Sequence, residues 1–217
     1  MVDAMITAKE MRLAQAAETA PVEAQILIIL PVADFKTEHR ITHSAEDNKI
    51  TDCIKEAYYR IDGPKGSLNR AILTQTWKGV IDEFDDIIEI PLPVLQSVTQ
   101  VRYRNTDGDW TVLSTDIYGV STYGLFGWVY LKTDQIWPEL HTEPGSVEIT
   151  FVAGWGAGAD ILTKAYGIRK AMKLLAGHFY YNATPTFVEP RLVEVPRKIW
   201  FGLEYVLGQY RIRNDPS

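Results

Sequence analysis

The sequence predicts an α+β protein in which a helical body carries an inserted antiparallel β region. Three observations predict it. Apolar residues recur at helical spacing near residues 50–61 and again near 161–179. Between them, from about Leu73 to Val152, the texture changes to short alternating stretches punctuated by turns. No repeat of fixed period runs through the chain. The order is helix, helix, β block, helix, helix. Helices of this length need an apolar face to pack against, so the two helical pairs are expected to form one bundle. This assigns 1–25 to an N-terminal arm, 26–70 plus 160–217 to the helical body, and 71–159 to the inserted β domain.

Residues 1–25 are rich in Ala and small polar residues, and they read as a loose arm or an amphipathic helix over Ala4 to Ala17. The apolar run at 26–30 is too short for a membrane span and suits a core or interface contact. Pro31 fits the first turn of a short helix with Val32, Phe35 and His39 along one side. A capping box from Ser44 to Asp47 announces the next helix, whose stripe is Ile50, Cys53, Ile54, Ala57, Tyr58 and Ile61, with Gly63-Pro64 as the stop. Five to seven strands are expected in the β block, from stretches such as LTQTWKGVI, IIEI, GWVYL and SVEITFVAG. Thr99, Val101 and Tyr103 alternate with Gln100, Arg102 and Arg104, and NTDGDW supplies the turn of a hairpin that returns through Trp110 and Val112. The PLP at 91–93 removes two backbone donors and belongs at a corner or edge. The last quarter places Ile161, Ala165, Ile168, Met172, Leu175 and Phe179 on one helical stripe, with Asp160 as N-cap. A breaker-rich loop from Asn182 to Val195 follows, then a helix opened by Pro196 and carrying Ile199, Trp200, Leu203, Val206, Leu207 and Tyr210.

Composition narrows the function. At 217 residues with 46% apolar content the chain can fill an ordinary core and does not read as disordered. A net charge of −6 argues against broad nucleic-acid binding, which is driven by Lys and Arg displacing counterions from phosphate. The single Cys53 allows no intrachain disulfide, which favours an intracellular site of assembly. With no secretion-signal layout and no long apolar run, the expectation is a soluble protein. Six Trp and eleven Tyr exceed what a small core needs and hint at protein partners.

No motif demands catalysis, cofactor or metal. GWGAGA at 154–159 satisfies a dinucleotide pattern, but a second parallel strand with an acidic ribose ligand should follow about 20 residues later, where the chain is still helical. A strand-to-helix turn needing positive φ explains it more simply. His39 and His43 share a helical spacing that the following cap interrupts, and no Cys or third clustered His completes a metal set; His141 and His178 are isolated. Asp82, Glu83, Asp85 and Asp86 lack the alternating ligands and central Gly of a calcium loop. Lys164, Lys170 and Lys173 are candidates for a lumen or subunit interface, although a solvated helix face accounts for them. Arg211 and Arg213 lie beside an exposed polar tail.

Four phrases in order, LPVADFKTEHRI (30–41), AILTQTW (71–77), IEIPLPVLQSVTQVRYRNTDGDW (88–110) and VEITFVAGWGAGA (147–159), resemble the head-tail connector, or adaptor, proteins of siphovirus-like tailed phages and gene-transfer agents. The resemblance covers about residues 26–182 and departs from the family in the long arm and in IDGPKGSLNRAIL, where a TGR form is usual. It implies a connector-type helical bundle with a β insertion, assembled in the bacterial cytoplasm as a dodecameric ring in the neck of a virion or virus-like particle, without catalysis. It implies the portal protein, a stopper or tail-terminator neck protein and copies of the chain itself as partners, with DNA passing through unbound. It further implies a portal-binding interface at Tyr205, Gln209, Tyr210, Arg211, Ile212, Arg213 and Asn214, so that removing 211–217 should weaken docking and leave the fold intact. Two other classes compete: a β-sandwich binding module using Tyr123, Phe126 and Trp128, and a nucleotide-binding enzyme using the Gly154–Gly158 turn.

Overall fold

The structure, a computed structural model, describes residues 11–15, 23–182 and 197–212. The chain divides into two compact units, one of residues 1–20 and 75–154 and the other of 21–74 and 155–217.

The first unit is built from two antiparallel sheets. Strands β1 (Arg12–Gln15), β2 (Gln75–Ile81), β4 (Leu95–Arg104), β5 (Trp110–Val112) and β8 (Val147–Ala153) form the larger, in the order β1-β2-β8-β4-β5. Strands β3 (Ile87–Ile90), β6 (Tyr118–Ser121) and β7 (Gly127–Leu131) form the smaller, in the order β3-β7-β6. The expected stretches thus become strands, and all their pairings are antiparallel. Pro91 to Pro93 fall between β3 of one sheet and β4 of the other, the corner their missing donors suggest.

Two expectations are corrected in this unit. Residues 12–15 are neither loose nor helical; they extend the larger sheet by pairing Arg12 with Val80 through to Gln15 with Trp77. Gly79 makes room for this strand, because a Cβ there would lie 2.2 Å from the Met11 sulfur. The alternation read through Thr99, Val101 and Tyr103 also slips. Val98 opposes Phe151 and Val101 opposes Ile149, neighbours on the same face of β8, so a bulge between Val98 and Gln100 absorbs the extra residue. Thr99 is consequently exposed while Val101 is fully buried. The return strand contributes little to the core, with Trp110 and Val112 both exposed.

The second unit is helical: α1 (Glu23–Ile29), α2 (Val32–His39), α3 (Asp47–Ile61), α4 (Gly158–Lys164), α5 (Tyr166–Tyr181) and α6 (Arg197–Leu207). All six predicted stripe residues of α3 are buried, as are Ile26, Ile29 and Leu30 of the early apolar run. They pack in one cluster with Ile161, Ile168, Met172, Leu175, Leu203 and Leu207. The caps differ from expectation. Glu46, not Ser44, precedes the first turn of α3, and Ser44 serves only as a backbone acceptor for Asp47. Asp160 sits inside the first turn of α4 rather than at its cap, and the late stripe is carried by two helices because Ala165 leaves helical geometry at φ −145°. The stripe survives the break, since Ile161, Ala165, Ile168, Met172 and Leu175 are all buried.

Candidate functional site

The surface singled out by sequence is the C-terminal segment, and its geometry starts in the turn after α3. Gly63 donates to the Arg70 carbonyl at 2.8 Å, Ser67 to Arg60 at 3.1 Å and Leu68 to Ile61 at 3.3 Å, closing 60–70 into a compact loop. The Asp62 carboxylate accepts the Ile72 N–H at 2.7 Å and fixes the loop's exit. Gly66 is required by close approach, because a Cβ there would lie 2.2 Å from the Asp62 carbonyl oxygen. This loop covers most of IDGPKGSLNRAIL, one of the two stretches that depart from the pattern of the sequence resemblance.

The loop grips the end of the described chain. Ile212 is only 6% exposed; its N–H donates to the Leu68 carbonyl at 3.1 Å. The Asn69 side-chain amide donates to the Ile212 carbonyl at 3.1 Å, and Asn69 adopts the left-handed backbone that Asn tolerates. Tyr210 packs edge-on against Trp155, whose other ring contact is the Arg70 guanidinium at 4.3 Å. Burial pulls Arg70 down to about 10.

The seven residues of the expected interface therefore separate. Tyr205 is 90% exposed and Gln209 and Arg211 are exposed. Tyr210 packs on Trp155 and Ile212 is buried against the 60–70 loop, so removing 211–217 would also take away the Ile212 contacts. Arg213 and Asn214 lie outside the described residues. The three lysines also separate. Lys173 pairs with Glu38 at 2.5 Å, Lys164 donates to the Trp155 carbonyl at 2.9 Å, and Lys170 is exposed with no ion pair among the described residues.

The glycine turn is not built for a pyrophosphate. Gly154 and Gly156 take positive φ, as expected. The strand entering the turn, β8, has antiparallel neighbours on both sides. The Asp160 carboxylate accepts the Ala157 N–H at 2.8 Å, and Gln25 accepts the Gly158 N–H at 2.9 Å. Two of the donors that would hold an anion at this helix end are thus occupied by the protein.

The histidines are engaged locally. His39 packs at a tilt against the Phe35 ring, centroids 4.3 Å apart, and meets Tyr181, His43 lies 3.7 Å from Glu46, His141 accepts the Glu143 N–H, and buried His178 contacts the Asn182 amide. No metal-holding group of His, Cys, Asp and Glu occurs among the described residues. In the acidic stretch, Asp82 pairs with Arg12 at 2.6 Å and accepts the Gly145 N–H at 2.7 Å, so it ties the edge strand to the loop before β8. Tyr123 at 88% and Trp128 at 42% are exposed at the β6–β7 hairpin, with Phe126 half-buried.

No family model and no curated protein matches the chain. Solved structures do. A chain described as belonging to the neck of an empty GTA particle, computed with C6 symmetry, aligns with a TM-score of 0.68 at 20% identity, covering 95% of this chain and 99% of that one. A chain of the native particle's neck, computed with C12 symmetry, gives 0.66 at 18% over the same shares. A chain of the virion of the native gene transfer agent (GTA) particle gives 0.67 at 20%, again over 95% and 99%. At these identities the likeness establishes a shared mixed helical and antiparallel fold over nearly the whole of both chains, and it bears out the resemblance read from the four sequence phrases.

Proposed function

We propose that this chain is a structural, non-enzymatic head-tail adaptor of a phage-like particle. Copies of it form a ring in the neck, dodecameric in this reading, between the portal and a stopper or tail-terminator protein, and the ring lines part of the DNA exit channel. The observation that carries the reading is the fold likeness to neck chains over 95% of this chain and 99% of theirs. Neck symmetries of C6 and C12 in those particles support a closed ring, in which each subunit offers two different faces. The net charge of −6 suits a channel through which DNA slides, since a strongly basic wall would retain it.

In this reading Tyr205 and Gln209 make the portal contact, and Arg211, Arg213 and Asn214 extend it, whereas Tyr210 and Ile212 hold the segment in place. The helical unit acts as the connector-type bundle. The test is electron microscopy and native mass measurement of the purified chain with and without its cognate portal assembly. The expected result is a ring joined to the portal, weakened by Tyr205→Ala and by removal of 213–217. A chain that never associates with the portal assembly overturns the proposal; docking that is indifferent to both changes overturns the interface.

A further inference from the structure

A cavity of about 180 Å³ opens in the helical unit, lined by Arg60 and Ile61 at the end of α3, Ser67 of the loop, Leu175 of α5, Leu203, Glu204 and Leu207 of α6, and Gly208 and Arg211 beyond it. Its aliphatic wall is Ile61, Leu175, Leu203 and Leu207, each no more than 5% exposed. A dry aliphatic cavity of about 150 Å³ accepts a benzene-sized molecule, so there is room here for one branched or aromatic side chain.

The polar lining is unbalanced. Arg60, Arg211 and Glu204 all line it, two cationic residues to one acidic, and none of the three has an ion-pair partner among the described residues. The Ser67 hydroxyl oxygen is buried without a hydrogen-bond partner among those residues, an arrangement that costs free energy until an acceptor arrives. An apolar hole lined by surplus guanidinium donors and an idle hydroxyl is complementary to an apolar side chain carrying a nearby carboxylate.

We infer that this cavity is a peptide-docking site that takes one large apolar side chain together with an adjacent carboxylate, supplied by an acidic segment of another protein. Ile61, Leu175, Leu203 and Leu207 hold the side chain, Arg60 and Arg211 pair with the carboxylate, and Ser67 donates to it. The inference stands on the cavity alone and does not need the adaptor reading, although the site borders the segment that the reading assigns to the portal.

The test uses the full-length chain and two small probes, N-acetyl-leucine and its uncharged counterpart N-acetyl-leucinamide, followed by amide chemical shifts. N-acetyl-leucine is expected to saturate shifts at Ser67, Leu175, Leu207 and Gly208 in the millimolar range that its size allows. The amide probe is expected to bind about tenfold more weakly, the loss of one charge-assisted contact. Arg60→Gln and Arg211→Gln, both at exposed positions, should each cut affinity severalfold, and Ser67→Ala less. Equal binding of the two probes, no saturation, or shifts confined to other sites overturns the inference. Probe binding that appears only after removal of 213–217 also overturns it, since the chain's own end would then be the occupant. The probes involve no partner protein, so a chain that joins the portal yet ignores them defeats this inference only, and one that binds them yet never joins the portal defeats the adaptor reading only.

Discussion

The anchoring of Ile212 makes a prediction that separates folding from docking at the C-terminus. Ile212 is 6% exposed, its N–H reaches the Leu68 carbonyl at 3.1 Å, and its carbonyl accepts from Asn69 at 3.1 Å. Ile212→Ala keeps both backbone bonds and loses apolar burial plus the energy of the space left behind, about 2–4 kcal/mol for a buried Ile. Ending the chain at Arg211 also removes the two hydrogen bonds, each about 1 kcal/mol net, so the total is about 4–6 kcal/mol. Ending it at Ile212 deletes none of these contacts and should leave stability unchanged. Urea unfolding followed by the helical circular dichroism signal checks all three variants. With a slope of about 1–3 kcal/mol per molar, the first two midpoints should fall by about 1 M or more. Equal midpoints for the chains ending at 211 and at 212 would refute the anchoring argument. A chain ending at Ile212 that is fully stable yet fails to join the portal would assign the lost activity to docking.

Three further outcomes follow from the ion pairs and close contacts. The Tyr180 hydroxyl donates to Glu46 at 2.5 Å, which lifts Tyr180 to about 12 and holds Glu46 below its usual 4.5. The carboxylate's share of stability is thus present above pH 4.5 and lost as pH falls through the lowered value. The phenol's share is present below pH 10 and lost as pH rises through about 12. Tyr180→Phe should flatten both limbs in pH-dependent melting, and an unchanged profile would count against the pair. Burial pushes Glu148 up, but Arg102 at 2.8 Å and Lys78 at 3.3 Å outweigh it and hold the carboxylate low. Glu148→Gln should therefore cost about 1–3 kcal/mol at neutral pH, by urea unfolding, and almost nothing in acid. Gly79→Ala should displace Met11, whose sulfur lies 2.2 Å from the added Cβ, so hydrogen exchange should accelerate at 12–15 and stay slow along β8; uniform protection would show that β1 does not depend on this seat.

Legibility from sequence followed the range of the interaction. The stripe of α3 and the strands of the β block were readable because periodicity is local and each apolar residue reports its own face. The break at Ala165 was not, since Ala is the best helix former and the nearby Gly167 falls inside the first turn of α5 rather than after the end of α4. The Val98–Gln100 bulge was hidden because its only signature is which residue of β8 lies opposite. The strand at 12–15 depends on a Gly and an Asp some seventy positions later. Within the candidate interface, the polar composition of the tail concealed Ile212 as an anchor, and Arg60, Ser67 and Glu204 were missed because only the fold brings them to one cavity.

The two anion questions raised by this chain have opposite answers for one physical reason. A phosphate or carboxylate is held by donors left over once the protein has satisfied itself. At the glycine turn the motif is visible in sequence, yet Ala157, Gly158 and Asp160 spend their N–H groups on Asp160, Gln25 and the Ala157 carbonyl. At the cavity no motif exists, yet two guanidinium groups and one buried hydroxyl remain without acceptors among the described residues. Spacing in the chain records which donors are near one another, whereas binding depends on which of them folding leaves idle. That difference makes the cavity, rather than the glycine turn, the place to look for a bound carboxylate.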